Sequence, residues 1–147
     1  MTKLCWGLIG GGEGSQVGFA HRAAAQLDGR FSFVAGALDI DPDSARQFGV
    51  SLGLEDARSY GSWQDMLVTE KKVKGEERLG LVTIATPNST HFEITKAFLE
   101  AGFNVLCEKP LTMTVEEARE LVLVANSSDR ICAVNYGYTG YPLVRQM

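Results

Sequence analysis

The sequence predicts an α/β fold of the Rossmann type, a doubly wound and mostly parallel sheet with helices on both faces. Short apolar runs alternate with amphipathic segments along the 147 residues. The runs are apolar throughout, as expected of strands covered on both faces. The first run leads directly into a glycine-rich turn, which is typical of nucleotide-binding folds. The length fits one globular domain, and 45% of its residues are hydrophobic.

The first half of the chain alternates strands with helices. The predicted elements, in chain order, are a strand at 4–9, a helix at about 19–27, a strand at 31–38 and a short helix at 63–68. Asp41 and Pro42 predict a further helix, because they are favoured at the N-cap and at the first helical position. The charged segment Glu70–Arg78 mixes both signs, which predicts a solvated loop.

The second half repeats the alternation. The predicted elements are a strand at 81–85, a helix at 89–101, a strand at 104–107, a helix from 115 and a strand at 131–134. Asn88 or Ser89 is expected to cap the first of these helices, and Gly102 to end it. Thr114 and Glu117 match a capping box for the second. That helix carries an apolar stripe expected to face the core, formed by Val115, Ala118, Leu121, Val122 and Ala125.

The composition excludes several classes of protein. The net charge is −4, and no basic run could follow a phosphate backbone, so a nucleic-acid partner is not expected. No apolar stretch approaches the roughly 20 residues that span a membrane. No secretory signal begins the sequence, so we expect a cytoplasmic protein. The three cysteines lie far apart in apolar runs, which predicts buried, reduced thiols and no metal site.

Residues 1–137 are expected to form the dinucleotide-binding domain. The segment 140–147 resembles the beginning of a helix, and no cap, glycine or polar tail closes it. We therefore expect residues 138–147 to lead into a second, substrate-binding domain that this chain does not contain.

The segment GGGEGSQVG at 10–18 is the first candidate site. Glycines there permit a tight turn and let backbone N–H groups approach a pyrophosphate, next to the partial positive charge of a helix N-terminus. The candidate cofactor-binding residues are Gly10, Gly12, Gly14 and Ser15. Ser15 stands where the third glycine of the fingerprint is expected, and Gly18 is the candidate for the close helix–strand contact. A glycine-rich turn without a ligand is the alternative.

Asp39 ends the second predicted strand, about 20 residues beyond the glycine loop. A carboxylate at this place accepts hydrogen bonds from the adenosine ribose hydroxyls and repels a 2′-phosphate. Neighbouring Asp41 is accounted for as a helix cap, whereas Asp39 has no comparable structural role. NAD is therefore favoured over NADP, and a solvated turn residue is the alternative for Asp39.

Thr86, Pro87 and Asn88 follow the strand at 81–85, at the edge of the sheet where ligands bind in such folds. They are candidates for bordering the cofactor, although a strand-ending proline and a helix cap explain them as well. His91, in the first turn of the next helix, is by itself more typical of a surface or capping residue than of a catalyst.

Glu108 and Lys109 emerge together after the strand at 104–107. A lysine in a partly desolvated cleft loses some of its preference for the charged form and can transfer protons near neutral pH. Lys109 is therefore the catalytic candidate. An exposed ion pair between the two residues is the alternative.

The order of these four segments resembles that of the glucose–fructose oxidoreductase / inositol dehydrogenase (Gfo/Idh/MocA) family. The matching sequences are LCWGLIGGGEGS, ALDIDP, VTIATPNSTHFEITKAFLEAGFNVLCEKPLT and the later GYTGYP. The run from ATPN to EKPLT is far more specific than the glycine loop. Two features depart from the family pattern. The longer glycine loop with Ser15 resembles a subgroup, and the second domain is missing.

The resemblance implies an NAD(P)-dependent dehydrogenase that transfers a hydride between the nicotinamide and a secondary alcohol of a sugar, a polyol or a related substrate. Lys109 would lie beside the nicotinamide and relay the alcohol proton, Glu108 would contact the nicotinamide ribose side, and the Lys109–Pro110 bond would be cis. The other positions that border the cofactor would be Thr86, Pro87, Asn88 and His91. The full-length protein would be a homo-oligomer, and the isolated domain would bind cofactor with little or no turnover.

Three alternatives to this function remain. A non-catalytic NAD(H)-binding module or sensor needs the glycine loop and Asp39 but has no use for the proton donor Lys109. A methyltransferase with a nucleoside cofactor usually carries an acidic residue just ahead of its glycine loop, where this chain has Leu8 and Ile9. A structural fragment could keep the fold without any ligand.

Overall fold

The structure, a computed structural model, describes residues 2–147. Within that range the chain forms a five-stranded sheet and six α-helices, with short 3-10 helices between some of them. The strands are β1 (Leu4–Gly10), β2 (Phe31–Ala37), β3 (Leu81–Ala85), β4 (Val105–Glu108) and β5 (Cys132–Asn135). The helices are α1 (Gln16–Asp28), α2 (Pro42–Ser51), α3 (Trp63–Glu70), α4 (His91–Glu100), α5 (Val115–Ser128) and α6 (Pro142–Gln146).

The strands are ordered β2-β1-β3-β4-β5, and every neighbouring pair is parallel. This arrangement confirms the predicted α/β fold of the Rossmann type. Because the strands are parallel, their carboxyl ends meet at one edge of the sheet, where ligands bind in open α/β folds. The segments that follow β1, β2, β3 and β4 are the four candidate segments of the sequence.

The core lies on both faces of the sheet, because successive side chains of a strand point in opposite directions. On one face, Trp6 packs in a small cluster that includes Ala25 of α1. On the other face, Ile9 belongs to a larger cluster with Phe98 of α4 and Leu121 of α5. The sheet is thus fixed between α1 and the helices of the opposite layer, and the crossover loops are left at its edges.

Two helices begin at residues other than those predicted. α1 begins at Gln16, ahead of the predicted start at 19, because Ser15 is its N-cap and accepts a hydrogen bond from the Gly18 N–H at 3.1 Å. In front of α4, the residues expected as caps, Asn88 and Ser89, form a 3-10 turn. The cap position falls on Thr90, which makes no side-chain capping bond.

The capping box of α5 is confirmed, with Glu117 and Thr114 each accepting a hydrogen bond from the other's backbone N–H at 3.2 Å. The predicted apolar stripe is wrong in part. Leu121 is buried, but Val115 and Val122 are 60% and 58% exposed. The face of α5 that packs on the core is formed by Leu121, Val124 and Ala125.

Glu70 contradicts the expectation of a solvated charged loop. It ends α3, and its residue has no exposed surface. Arg58 donates two hydrogen bonds to its carboxylate at 2.9 and 2.6 Å, and the Tyr60 hydroxyl donates a third at 2.8 Å. Burial and the bond to Glu70 raise the pKa of Tyr60. The remaining charged residues of the segment, from Lys71 to Arg78, stay at the surface or partly so.

Two further observations bear on the class of protein. No helix within residues 2–147 combines the length and the apolar composition needed to cross a membrane. All three cysteines are free, as predicted, although only Cys107 is fully buried while Cys5 and Cys132 are half-buried. Burial raises the pKa of the Cys107 thiol to about 11, which keeps it protonated at neutral pH.

Candidate functional site

A crevice of about 480 Å³ opens at the carboxyl edge of the sheet, between the ends of β1, β2 and β3. The glycine loop forms one wall, the segment after β2 a second, and the turn after β3 a third. Lining residues from these walls are Gly10, Gly11, Asp39, Ile40, Thr86 and Pro87. The candidate residues from three separate segments of the sequence therefore border one cavity.

Two glycines bring the glycine loop and α1 into close contact. A Cβ atom on Gly18 would lie 2.2 Å from the Gly11 carbonyl oxygen, and one on Gly11 would lie 2.7 Å from the Gly18 Cα. Arg22 supports the same loop by donating to the Gly11 carbonyl oxygen at 2.8 Å. The predicted close contact at Gly18 is confirmed. Its partner Gly11 and the support from Arg22 were not predicted, since neither has a signature of its own in the sequence.

The Asp39 carboxylate lies against the glycine loop. A Cβ atom on Gly12 would lie 3.0 Å from Asp39 Oδ2 and 2.6 Å from the Leu38 carbonyl oxygen. Asp39 Oδ1 accepts a hydrogen bond from the Asp41 N–H at 3.0 Å. Asp39 therefore does have a structural role at the start of α2, contrary to the sequence-based expectation. Its second oxygen lies at the wall of the crevice, beside Gly12.

The turn after β3 is braced by Thr90. Its hydroxyl lies 2.8 Å from both Thr86 Oγ1 and the Pro87 carbonyl oxygen. Thr86 is half-buried at the crevice, whereas Pro87 and Asn88 are exposed. Pro87 and Thr90 line the crevice, and Asn88 does not.

His91 is fully buried, so the expectation of a surface residue is wrong. Its Nδ1 lies 2.7 Å from the Pro110 carbonyl oxygen, and its Nε2 lies 2.9 Å from the Thr86 carbonyl oxygen. Because the ring has no exposed surface, it does not offer the direct cofactor contact that the family resemblance implied. Its two ring nitrogens instead connect the turn after β3 with the turn after β4.

Glu108 is held from two sides. Its Oε1 lies 2.8 Å from His21 Nε2 and accepts a hydrogen bond from Asn135 Nδ2 at 2.5 Å. Its Oε2 accepts a bond from the Lys109 N–H at 3.3 Å. Burial alone would raise the pKa of this carboxyl group, but the bonds from Asn135 and His21 lower it below its ordinary range. Sequence reasoning missed His21 and Asn135, which lie far from Glu108 along the chain.

Lys109 follows β4 directly and is exposed. Its peptide bond to Pro110 is cis, as the family resemblance implied. Among residues 2–147 its ammonium group forms no ion pair, and the side chains that contact the Glu108 carboxylate are those of His21 and Asn135. The alternative of a Glu108–Lys109 ion pair is therefore wrong, and the ammonium group is free to meet a ligand at the carboxyl edge.

The residues present fit a dinucleotide. Gly10 and Gly14 have positive φ values of 76° and 75°, and a Cβ atom on Gly10 would lie 2.6 Å from the Ala85 carbonyl oxygen. Gly10 therefore lets the loop pass directly beside the end of β3 on its way to the N-terminus of α1. The first turn of α1 contains no acidic residue, so its partial positive charge is not neutralised. The Asp39 carboxylate, the expected acceptor for the ribose hydroxyls, lines the same crevice as Gly10 and Gly11.

Comparison with known proteins agrees with this geometry. The profile of the family described as "Oxidoreductase family, NAD-binding Rossmann fold" (GFO_IDH_MocA) matches residues 4–136. The chain is 44% identical over 145 residues to the uncharacterized oxidoreductase YfiI of Bacillus subtilis, and 33% identical over 144 residues to the levoglucosan dehydrogenase of Pseudarthrobacter phenanthrenivorans. Each match covers 98% of this chain and 36% of the relative.

A solved structure is equally similar. The inositol dehydrogenase homolog of Azotobacter vinelandii, crystallised with NADH and myo-inositol, superposes with a TM-score of 0.93 at 45% sequence identity. The match covers 99% of this chain and 38% of that one. The chain thus spans little more than a third of the length of the relatives that it matches.

Proposed function

This chain belongs to the Gfo/Idh/MocA family of NAD-binding oxidoreductases, and from that premise we propose that it is the cofactor-binding part of a dehydrogenase acting on a secondary alcohol of a sugar, a polyol or a related substrate. One observation carries the proposal. The glycine loop, Asp39 and Lys109 follow three different strands of one parallel sheet and so lie at the same carboxyl edge. A cofactor extended along that edge would reach all three.

The proposed cofactor is NAD, with NADP as the alternative. The backbone N–H groups of Gly12 and Gly14 would donate to the pyrophosphate at the N-terminus of α1. Ser15 would border the pyrophosphate beside them, since its own N–H already donates to the Gly12 carbonyl oxygen at 3.1 Å. Asp39 would accept hydrogen bonds from the adenosine ribose hydroxyls through the oxygen that lies beside Gly12. Thr86 and Pro87 would border the cofactor on the β3 side of the crevice.

Lys109 is the proposed catalytic residue. When bound, the nicotinamide supplies hydride transfer to or from the alcohol carbon of the substrate. The Lys109 ammonium group would hold the substrate oxygen by a hydrogen bond and exchange its proton. Support comes from the exposure of Lys109 at the carboxyl edge and from its freedom from an ion pair among residues 2–147. Contact of Glu108 with the nicotinamide ribose remains a prediction, and Oε2 is the oxygen with capacity left for it.

The placement of the nicotinamide can be tested by NMR on the isotope-labelled chain. NADH and ADP-ribose, which lacks the nicotinamide ring, should both shift the amide signals of Gly12 and Asp39. Only NADH should also shift the amide signal of Lys109. Equal shifts at Lys109 with the two ligands would argue against a nicotinamide site there. Absence of any shift would overturn the cofactor site itself.

We expect this chain to bind NAD⁺ and NADH without oxidising a polyol, because it matches only 38% of the related chain that was crystallised with myo-inositol. Incubation with NAD⁺ and myo-inositol, followed through NADH absorbance, measures this directly. Steady formation of NADH would show that the chain is sufficient for catalysis.

A further inference from the structure

The Glu108 carboxylate joins three elements of the fold. His21 belongs to the second turn of α1, Glu108 ends β4 and Asn135 ends β5. His21 and Asn135 both contact the same oxygen, Glu108 Oε1, at 2.8 and 2.5 Å. The side chains of His21 and Glu108 are only 12% and 13% exposed. A contact so well shielded from water is stronger than an exposed pair and restricts both side chains.

The chemistry of the contact is complementary. An ionised carboxylate only accepts hydrogen bonds, the Asn135 amide nitrogen donates, and His21 donates whenever its Nε2 carries a proton. The lowered pKa of Glu108 keeps the acceptor charged at neutral pH. Both donors are therefore satisfied by one oxygen, which leaves Oε2 for the Lys109 N–H at 3.3 Å.

Adjacent residues of α1 serve the two ends of the proposed site. Arg22 donates to the Gly11 carbonyl oxygen of the glycine loop at 2.8 Å. His21, the residue before it, contacts the carboxylate that accepts from the Lys109 backbone. The helix that begins at the glycine loop is therefore linked through one side chain to the turn that carries Lys109.

We propose that His21 is a positioning residue, which through Glu108 fixes the backbone of Lys109 relative to α1 and the glycine loop. The inference rests on the proposed function, since the position of Lys109 matters for the reaction only if Lys109 serves the alcohol proton. It adds a residue of α1 to a site otherwise built from the carboxyl ends of the strands.

The test compares His21→Leu with His21→Gln in the cofactor-free chain. Leu removes the donor, whereas the Gln side-chain amide nitrogen is as many bonds from the backbone as His Nε2 and restores it. His21→Leu should raise the pKa of Glu108, measured by NMR titration of its carboxyl carbon, and should speed hydrogen exchange of the Lys109 amide several-fold. His21→Gln should return both values most of the way to those of the unaltered chain.

Lys96→Met is the matched control, because it removes an exposed ion pair with Glu120, at 34% and 48% exposure, away from the crevice. It should change neither value. Should His21→Leu fail to fold, Asn135→Ala removes the second donor and must move the same two signals in the same direction. A folded His21→Leu chain with unchanged Glu108 titration and unchanged Lys109 exchange would overturn the positioning role.

A second readout separates this inference from the proposed function. In the His21→Leu chain, ADP-ribose should still shift the Gly12 amide, while the additional NADH-dependent shift at Lys109 should shrink or disappear. If neither ligand binds the unaltered chain, the proposed function fails, and the cofactor-free measurements still decide whether His21 positions Lys109.

Discussion

Glu70 shows how a single buried charge depends on residues outside its own helix. The segment around it is rich in charges of both signs, and nothing in that pattern distinguishes Glu70 from its exposed neighbours. Its burial is matched by Arg58 and Tyr60, which lie in the segment before α3 and provide three hydrogen bonds. Such pairing is specified by tertiary structure, so a local reading of charge cannot find it.

Replacing Arg58 with Met should destabilise the chain by about 3–5 kcal/mol, because it leaves the Glu70 carboxylate buried with the Tyr60 hydroxyl as its remaining donor. Urea denaturation measures the free energy of unfolding. The double replacement Arg58→Met with Glu70→Leu should recover much of the loss, since no buried charge remains. The exposed pair in Lys96→Met should cost about 0–1 kcal/mol. A loss of similar size in Arg58→Met and Lys96→Met would contradict this account of Glu70.

The roles of the two histidines in the candidate site likewise depend on tertiary contacts. His91 is recognised in the sequence only by its resemblance to a family position, and its buried contacts with two carbonyl oxygens give it a structural place. His21 belongs to no sequence motif, and its partner Glu108 lies 87 residues further along the chain. Buried residues that support a site cannot be identified from the spacing of residues in the sequence, because they contact the site only in the folded structure.

Helices and strands were predicted well wherever the local chemistry determines the ends. The Asp41 cap of α2 and the capping box of α5 are both present, because these motifs act within one turn. The start of α1 was predicted late, since Ser15 was interpreted as a substitute for a glycine rather than as a cap. The exposed face of α5 was misjudged, because periodicity gives the width of an apolar stripe but not what packs against each part of it.

The close contact between α1 and the glycine loop predicts that Gly18 cannot be enlarged without loss of stability and of NADH binding. Gly18→Ala would bring a Cβ atom to 2.2 Å from the Gly11 carbonyl oxygen, so α1 must shift, at a cost of about 1–3 kcal/mol or more. The shift should also weaken NADH binding at least several-fold. Thermal unfolding and a fluorescence titration measure the two effects.

Gly137→Ala is the control for this helix contact, because a Cβ atom there meets no atom within 4 Å. It should change stability by no more than about 0.5 kcal/mol and leave NADH binding unaltered. If Gly18→Ala behaved like Gly137→Ala, the close contact would not be required for the site.

At the scale of the whole molecule, the parallel sheet determines where the candidate site lies. Once strands and helices alternate, the segments after successive strands must meet at one edge, so the grouping of the glycine loop, Asp39 and Lys109 was predictable without coordinates. What could not be predicted is how that edge is braced. The contacts of Arg22 with the glycine loop and of His21 with Glu108 depend on the rotation of α1 against the sheet, which no linear pattern encodes.

The most direct test of the cofactor site is a fluorescence titration of the chain with NADH and NADPH, with Asp39→Ser in parallel. We expect saturable binding of NADH, at least tenfold weaker binding of NADPH (roughly 1.4 kcal/mol), and a reduced preference in Asp39→Ser because the carboxylate that repels a 2′-phosphate is gone. Tighter binding of NADPH would contradict the role of Asp39. Binding of neither cofactor would contradict the claim that this crevice is a nicotinamide dinucleotide site.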